Sequence, residues 1–189
     1  RPTGGPRPRW KRTMYYDETG LSWVRPSPNI VSLDAALAYV GTCLLEGSNL
    51  SEGRGTDTPF LLFGAPFVDG DQVAGMLNDR RLPGVRFHAA RYVPTSRAGA
   101  AQPRYSGSEC GGVRMEITDR SIFPAWRCGV EILHVLTLLY DEKITCTSYL
   151  SLLAGTDSFC LHLSSNDEPD WRDEATQFSG ARIPYLLYR

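Results

Sequence analysis

The stretch LLEGSNLSEGRGT, Leu44 to Thr56, dictates where a helix has to stop and what can follow it. Upstream, Ser32 is placed as an N-cap, and Leu33, Ala36, Leu37, Val40 and Leu44 recur at helical spacing. The pattern predicts a helix over 33–45 that buries those residues as one stripe. Gly47, Gly53 and Gly55 then make continuation costly, because a glycine gives up more backbone freedom on folding than any other residue. The stretch is too polar for a core strand, so it reads as a loop. That loop carries two carboxylates, Glu46 and Glu52, and one guanidinium, Arg54.

Further along, strands and helices alternate. TPFLLFGAPFV is aromatic and apolar and predicts a buried strand or extended segment before a turn. Asp69 or Asp71 is placed to cap a helix through Arg80, with Val73, Met76 and Leu77 inward and LPG at 82–84 as its stop. VRFHAARYV predicts a strand, RAGAAQPRYSGSECGG a long loop, and GVRMEITD a half-buried strand that turns Val113, Met115 and Ile117 inward. Pro124 suits the first turn of a helix to about Tyr140. LLAGTDSF predicts a helix-flanking turn, and the closing IPYLLYR a C-terminal strand. The order is that of an α/β or α+β fold, a mixed sheet with flanking helices.

Hydrophobic residues form 42% of the 189, enough for a real core. The net charge of −1 and pI of about 6.3 give no basic balance for nucleic acid. Apolar runs all fall short of the roughly 20 residues that span a bilayer, so no membrane segment is expected. The opening RPTGGPRPRWKR is basic and reads as a solvated connection rather than an anion-binding arm. Five cysteines without a CxxC pair lack zinc-site spacing, and the three histidines are scattered, so no metal or other cofactor is expected.

Paired carboxylates are what glycosidic hydrolysis needs, one to protonate the leaving oxygen and one to act from the other face of the sugar. Six extended residues would hold Glu46 and Glu52 about 20 Å apart. A glycine-rich turn brings such a pair within the roughly 5–9.5 Å used by glycosidases. Arg54 is placed to hold a glutamate ionised or to orient a substrate carboxylate. Asn49, Ser51 and Thr56 supply neutral hydrogen bonds. Tyr39, Trp23, Phe60, Phe63 and Phe67 surround the loop in sequence, as a sugar-stacking platform or as core. The commoner use of such a loop is a glutamate–arginine pair that holds it together. GRGT lacks the lysine and spacing of a P-loop, and a Gly-x-Ser-x-Gly elbow is missing.

The run from Tyr16 to Val68, YDETGLSWVRPSPNIVSLDAALAYVGTCLLEGSNLSEGRGTDTPFLLFGAPFV, resembles the strongest signature of the bacterial exo-β-N-acetylmuramidase family, the NamZ-like proteins. LPGVRF at 82–87, CGGV with ITDR in 110–120, LLAGTD at 152–157 and PYLLY at 184–188 fit in order. The resemblance implies removal of terminal, non-reducing β-linked N-acetylmuramic acid from peptidoglycan fragments, outside the cytoplasm. It also implies a Rossmann-like N-terminal half that closes a cleft against a smaller C-terminal domain. Only the later part of the family is matched, with residues 1–38 as a connecting segment and 39–189 as the C-terminal domain. The family's glutamate in a Pro-Glu-His-Gly-like context is absent from these residues. By this resemblance Glu46 and Glu52 are the candidate catalytic carboxylates, and Asn29, Asn49, Ser51, Arg54 and Thr56 the candidate substrate-binding residues, with Arg54 facing the lactyl carboxylate. The alternatives are a muropeptide- or carbohydrate-binding module, or a structural domain without the catalytic half.

Overall fold

The computed structural model describes residues 11–157, 159, 163 and 172–187. Most of the basic arm, Cys160, His162 and the last two residues lie outside them. The chain divides into two compact units, Arg25–Glu168 and a smaller one formed by Arg1–Val24 with Pro169–Arg189.

In the larger unit, helix α1 (Leu33–Thr42) starts where expected, with Ser32 Oγ accepting the Ala35 amide at 3.1 Å. It tightens into a 3-10 turn, Cys43–Gly47, as the glycines approach. Its buried side differs from most of the expected stripe: Ala35, Ala38, Gly41 and Thr42 face inward and Leu44 is buried as expected, but Leu33, Ala36 and Leu37 are only half-buried and Val40 is 53% exposed. The partner explains this. Helix α3 (Ala125–Tyr140) crosses α1 backbone to backbone, and a Cβ on Gly41 would stand 1.9 Å from the Ala125 carbonyl oxygen. A Cβ on Gly129 would stand 2.2 Å from the Gly41 carbonyl. Only small residues permit that approach, so size outranks hydrophobicity in choosing the buried face.

Strand β1 (Leu62–Ala65), helix α2 (Gly70–Asp79), β2 (Val85–Tyr92) and β3 (Cys110–Ile117) follow. The sheet has the order β1–β3–β2, and both pairings are antiparallel, Phe63 opposite Val113 and Ala89 opposite Val113 on its other side. Helix α2 is capped by Asp69, whose carboxylate accepts the amides of Asp71 and Gln72. Val73 and Leu77 of α2, Phe87 of β2, Val113 and Met115 of β3, and Ile132, Leu133 and Leu136 of α3 are buried as the core. Each of the three α3 residues contributes about 2 kcal/mol by leaving water. Helix α4 (Ser148–Ala154) ends at Gly155 in a left-handed cap. The architecture is a three-stranded antiparallel sheet with flanking helices.

The long loop between β2 and β3 is tied down. Thr95 donates its amide to the Gly55 carbonyl at 2.9 Å, and Tyr105 its hydroxyl to the Asn49 carbonyl at 2.6 Å. Arg97 meets Asp57 at 2.6 Å. The loop buttresses the stretch that carries the candidate carboxylates.

In the smaller unit, a 3-10 turn (Tyr16–Thr19) packs Tyr16 edge-on against Trp23, with ring centroids 5.3 Å apart. Helix α5 (Arg172–Ala181) is followed by a second 3-10 turn, Ile183–Tyr185, where a strand was expected. Pro184 explains the difference, since its fixed φ suits the first turn of a helix and its missing N–H weakens a strand. Among the described residues no helix is long and apolar enough to cross a membrane.

Candidate functional site

Glu46 and Glu52 are brought together by the chain reversal that follows α1. Glu46 lies in the 3-10 turn that extends the helix. Ser51 then forms an antiparallel bridge with Gly64 of β1, exchanging amide and carbonyl in both directions at 2.8 and 3.0 Å. Next, the Glu52 carbonyl accepts the Phe60 amide at 2.8 Å, which closes a loop over 52–60. Gly53 turns that loop with φ of 80°, where a side chain would be strained and would also strike the Leu62 carbonyl.

Within the loop, Arg54 Nη1 donates to Glu52 Oε1 at 2.7 Å and meets Glu46 Oε2 at 3.0 Å. Both carboxylates therefore share one nitrogen, and their nearer oxygens stand at most about 5.7 Å apart. Exposure is graded: the side chains of Glu52, Glu46 and Arg54 are 8%, 18% and 28% exposed. The guanidinium also lies over the Phe60 ring, 5.0 Å from its centroid. Tyr39 of α1 meets the same ring edge-on at 4.8 Å. Burial opposes charge on Arg54, but hydrogen bonds to Glu46 and Glu52 outweigh it and raise its pKa. Burial, and then the Glu46 charge, push the Tyr39 hydroxyl pKa up.

Of these groups, Tyr39, Arg54 and Phe60 line a cavity of about 310 Å³, together with Pro26, Ser27, Ile30 and Ala36. One wall is apolar, one is aromatic, and the guanidinium supplies the charge. Phe60 combines a ring only 1% exposed with a left-handed backbone, φ 68°. A non-glycine residue held there marks a position fixed by its surroundings.

The neutral candidates are engaged elsewhere. Asn49 donates its side-chain amide to the Lys143 carbonyl at 2.8 Å and accepts the Thr145 amide at 3.0 Å. Ser51 is buried, and its hydroxyl accepts the Gly53 amide at 3.3 Å. Thr56 donates its hydroxyl to the Gly53 carbonyl at 2.6 Å. Asn29, also buried, donates to the Gly99 carbonyl at 2.9 Å. All four thus hold backbone around the site. Phe63 belongs to the core, Phe67 packs on Tyr140, and Trp23 lies in the smaller unit.

Pro26, Ile30 and Ala36 were not legible as a cavity wall, because nothing local distinguishes them from ordinary core or loop residues. A second cavity, of about 560 Å³, was also unforeseen. It borders Phe67, Asp69, Asp71, Arg91 and Glu109 over a floor of small residues, and it draws on separate segments. Among the described residues, no three His, Cys, Asp or Glu side chains are grouped to hold a metal ion.

Similar folds have been solved. A DUF1343 family protein from Bacteroides fragilis superposes with a TM-score of 0.82 at 25% identity, covering 95% of this chain and 49% of that one. A second from the same organism gives 0.66 at 28% identity, covering 87% and 44%. The peptidoglycan β-N-acetylmuramidase NamZ of Bacillus subtilis is 36% identical over 186 residues, 95% of this chain. The chain spans only 44% of that relative's length. Residues 37–188 match the family model described as exo-β-N-acetylmuramidase NamZ, C-terminal. With so much of its length matched, the chain belongs to the family of NamZ C-terminal domains, a peptidoglycan-related glycosidase family.

Proposed function

We propose that this chain supplies part of the substrate cleft of an exo-acting glycosidase that releases terminal, non-reducing β-linked N-acetylmuramic acid from peptidoglycan fragments. One observation carries the reading: two carboxylates converge on a guanidinium that itself lines a small cavity with an aromatic wall. That combination suits a sugar bearing both apolar ring faces and a carboxylate. Arg54, backed by Phe60, orients the lactyl carboxylate, and Tyr39 offers a face to the pyranose. Glu46 and Glu52 are the proposed acid and base. The partner that completes the cleft is the remaining half of the longer protein, expected to be Rossmann-like.

A second reading has a specific observation in its favour. Arg54 Nη1 engages both carboxylates at once, so neither is free to act on a bound sugar. In that arrangement the site holds a sugar without cleaving it, and hydrolysis requires Arg54 to leave at least one glutamate.

Hydrolysis of a chromogenic β-N-acetylmuramide separates the two. Catalysis by the pair predicts that Glu46→Gln or Glu52→Gln lowers turnover by about 100-fold or more. An inactive chain that binds N-acetylmuramic acid saturably supports the second reading. Absence of both turnover and binding removes a role for this cavity in muramic acid chemistry.

A further inference from the structure

Resting on that reading, we infer that Arg54 recognises the ligand carboxylate by exchange: the ligand's carboxylate replaces Glu46 on the guanidinium, while Glu52 stays as the anchor. Charge makes an exchange necessary. Two carboxylates and one guanidinium sum to −1, so a third carboxylate is repelled unless one of the first two withdraws.

Geometry selects Glu46 as the one that leaves. Its contact with Nη1 is the longer, 3.0 Å against 2.7 Å, and its side chain is the more exposed, 18% against 8%. Glu52 is held by its surroundings. Its carbonyl is bonded to the Phe60 amide, and its neighbour Ser51 is bridged to Gly64 in both directions. Glu46 sits instead near the end of a 3-10 segment, with a side chain already partly open to water. Arg54 need not move. Its guanidinium stays over Phe60, and Nη1 offers the released bond at the cavity rim. A planar guanidinium suits such an exchange, because a carboxylate can approach edge-on through two N–H groups. Glu46 thus acts as a resident competitor that sets the affinity for carboxylate-bearing sugars, and its release frees it from the arginine.

Calorimetric titration of the chain with N-acetylmuramic acid, and with N-acetylglucosamine as the sugar lacking the lactyl carboxylate, tests the inference. Glu46→Gln, which removes the competing charge, is expected to tighten N-acetylmuramic acid binding roughly two- to fivefold. Binding of N-acetylglucosamine should stay unchanged. Glu46→Asp, which keeps a carboxylate but shortens its reach, is expected to act in the same direction and guards against a folding defect in the first variant. Unchanged or weakened N-acetylmuramic acid binding in both variants overturns the exchange and leaves the proposed function standing. An equal gain for the two sugars also overturns it. If neither sugar binds the unsubstituted chain, the proposed function fails and the exchange with it.

Discussion

Arg54 donates through Nη1 to Glu52 at 2.7 Å across a left-handed glycine, and its guanidinium lies over the Phe60 ring, 5.0 Å from the centroid. The same nitrogen holds Glu46, so one side chain joins the end of α1, the 52–60 loop and the aromatic wall of the cavity.

Removing that junction should cost both stability and binding. Arg54→Ala leaves Glu52, only 8% exposed, without its cation, and is expected to lower unfolding free energy by about 2 kcal/mol in urea denaturation. Arg54→Lys should recover part of the stability but little of the affinity for N-acetylmuramic acid, because a lysine restores charge without the planar fork. Full recovery of binding by lysine would show that a point charge suffices.

Asn49 separates support from recognition. Its side chain clamps Lys143 and Thr145, so Asn49→Ala should destabilise the fold by about 1–2 kcal/mol while sugar affinity stays within twofold. Lost affinity in a variant of undiminished stability would show that Asn49 contacts the ligand.

The α1–α3 crossing gives a paired test of packing. Gly41→Ala drives a methyl into the Ala125 carbonyl and should cost about 3 kcal/mol. Gly75→Ala in α2 meets nothing within 4 Å on an exposed face and should stabilise by about 0.5–1 kcal/mol. Denaturation midpoints of the two variants check both signs at once.

Stability should fall in alkali. Burial pushes Cys110 up to about 11 and Cys128 up to about 12, from an ordinary value of 9.0. Between those values the unfolded chain has released protons that the folded chain keeps. Raising the pH therefore favours unfolding, and the stability conferred by the neutral thiols is present below pH 9 and lost through pH 11–12. The decline from pH 8 to 10.5 should reach about 3–4 kcal/mol for the two thiols together, and Cys128→Ala should remove about half of it. A stability that does not change over this range would contradict the buried, neutral thiols.

Legibility of the fold followed locality. The caps at Ser32 and at Asp69, one of two candidates there, and the end of α2 near Arg80 depend on neighbouring residues, and the sequence displayed them. Strand β3, by contrast, runs from Cys110 to Ile117, two residues earlier than GVRMEITD suggested. The buried face of α1 depends on Gly129, far along the chain, so Leu33, Val40 and their neighbours pointed to the wrong side. At the site, Glu46, Glu52 and Arg54 were legible because one glycine-rich turn brings them together. The backbone duties of Asn29, Asn49, Ser51 and Thr56 were hidden, since a side-chain hydrogen bond to a distant carbonyl leaves no periodic trace. Nor could the sequence show that both carboxylates share one nitrogen.

The measurement that reaches furthest is an NMR titration of the chain with N-acetylmuramic acid, following backbone amides and arginine side-chain signals. Saturable shifts are expected to concentrate at Tyr39, Arg54 and Phe60, with Glu46 perturbed more than Glu52. Shifts confined to the Asp69, Asp71 and Glu109 cavity, or no shifts at all, would contradict this expectation.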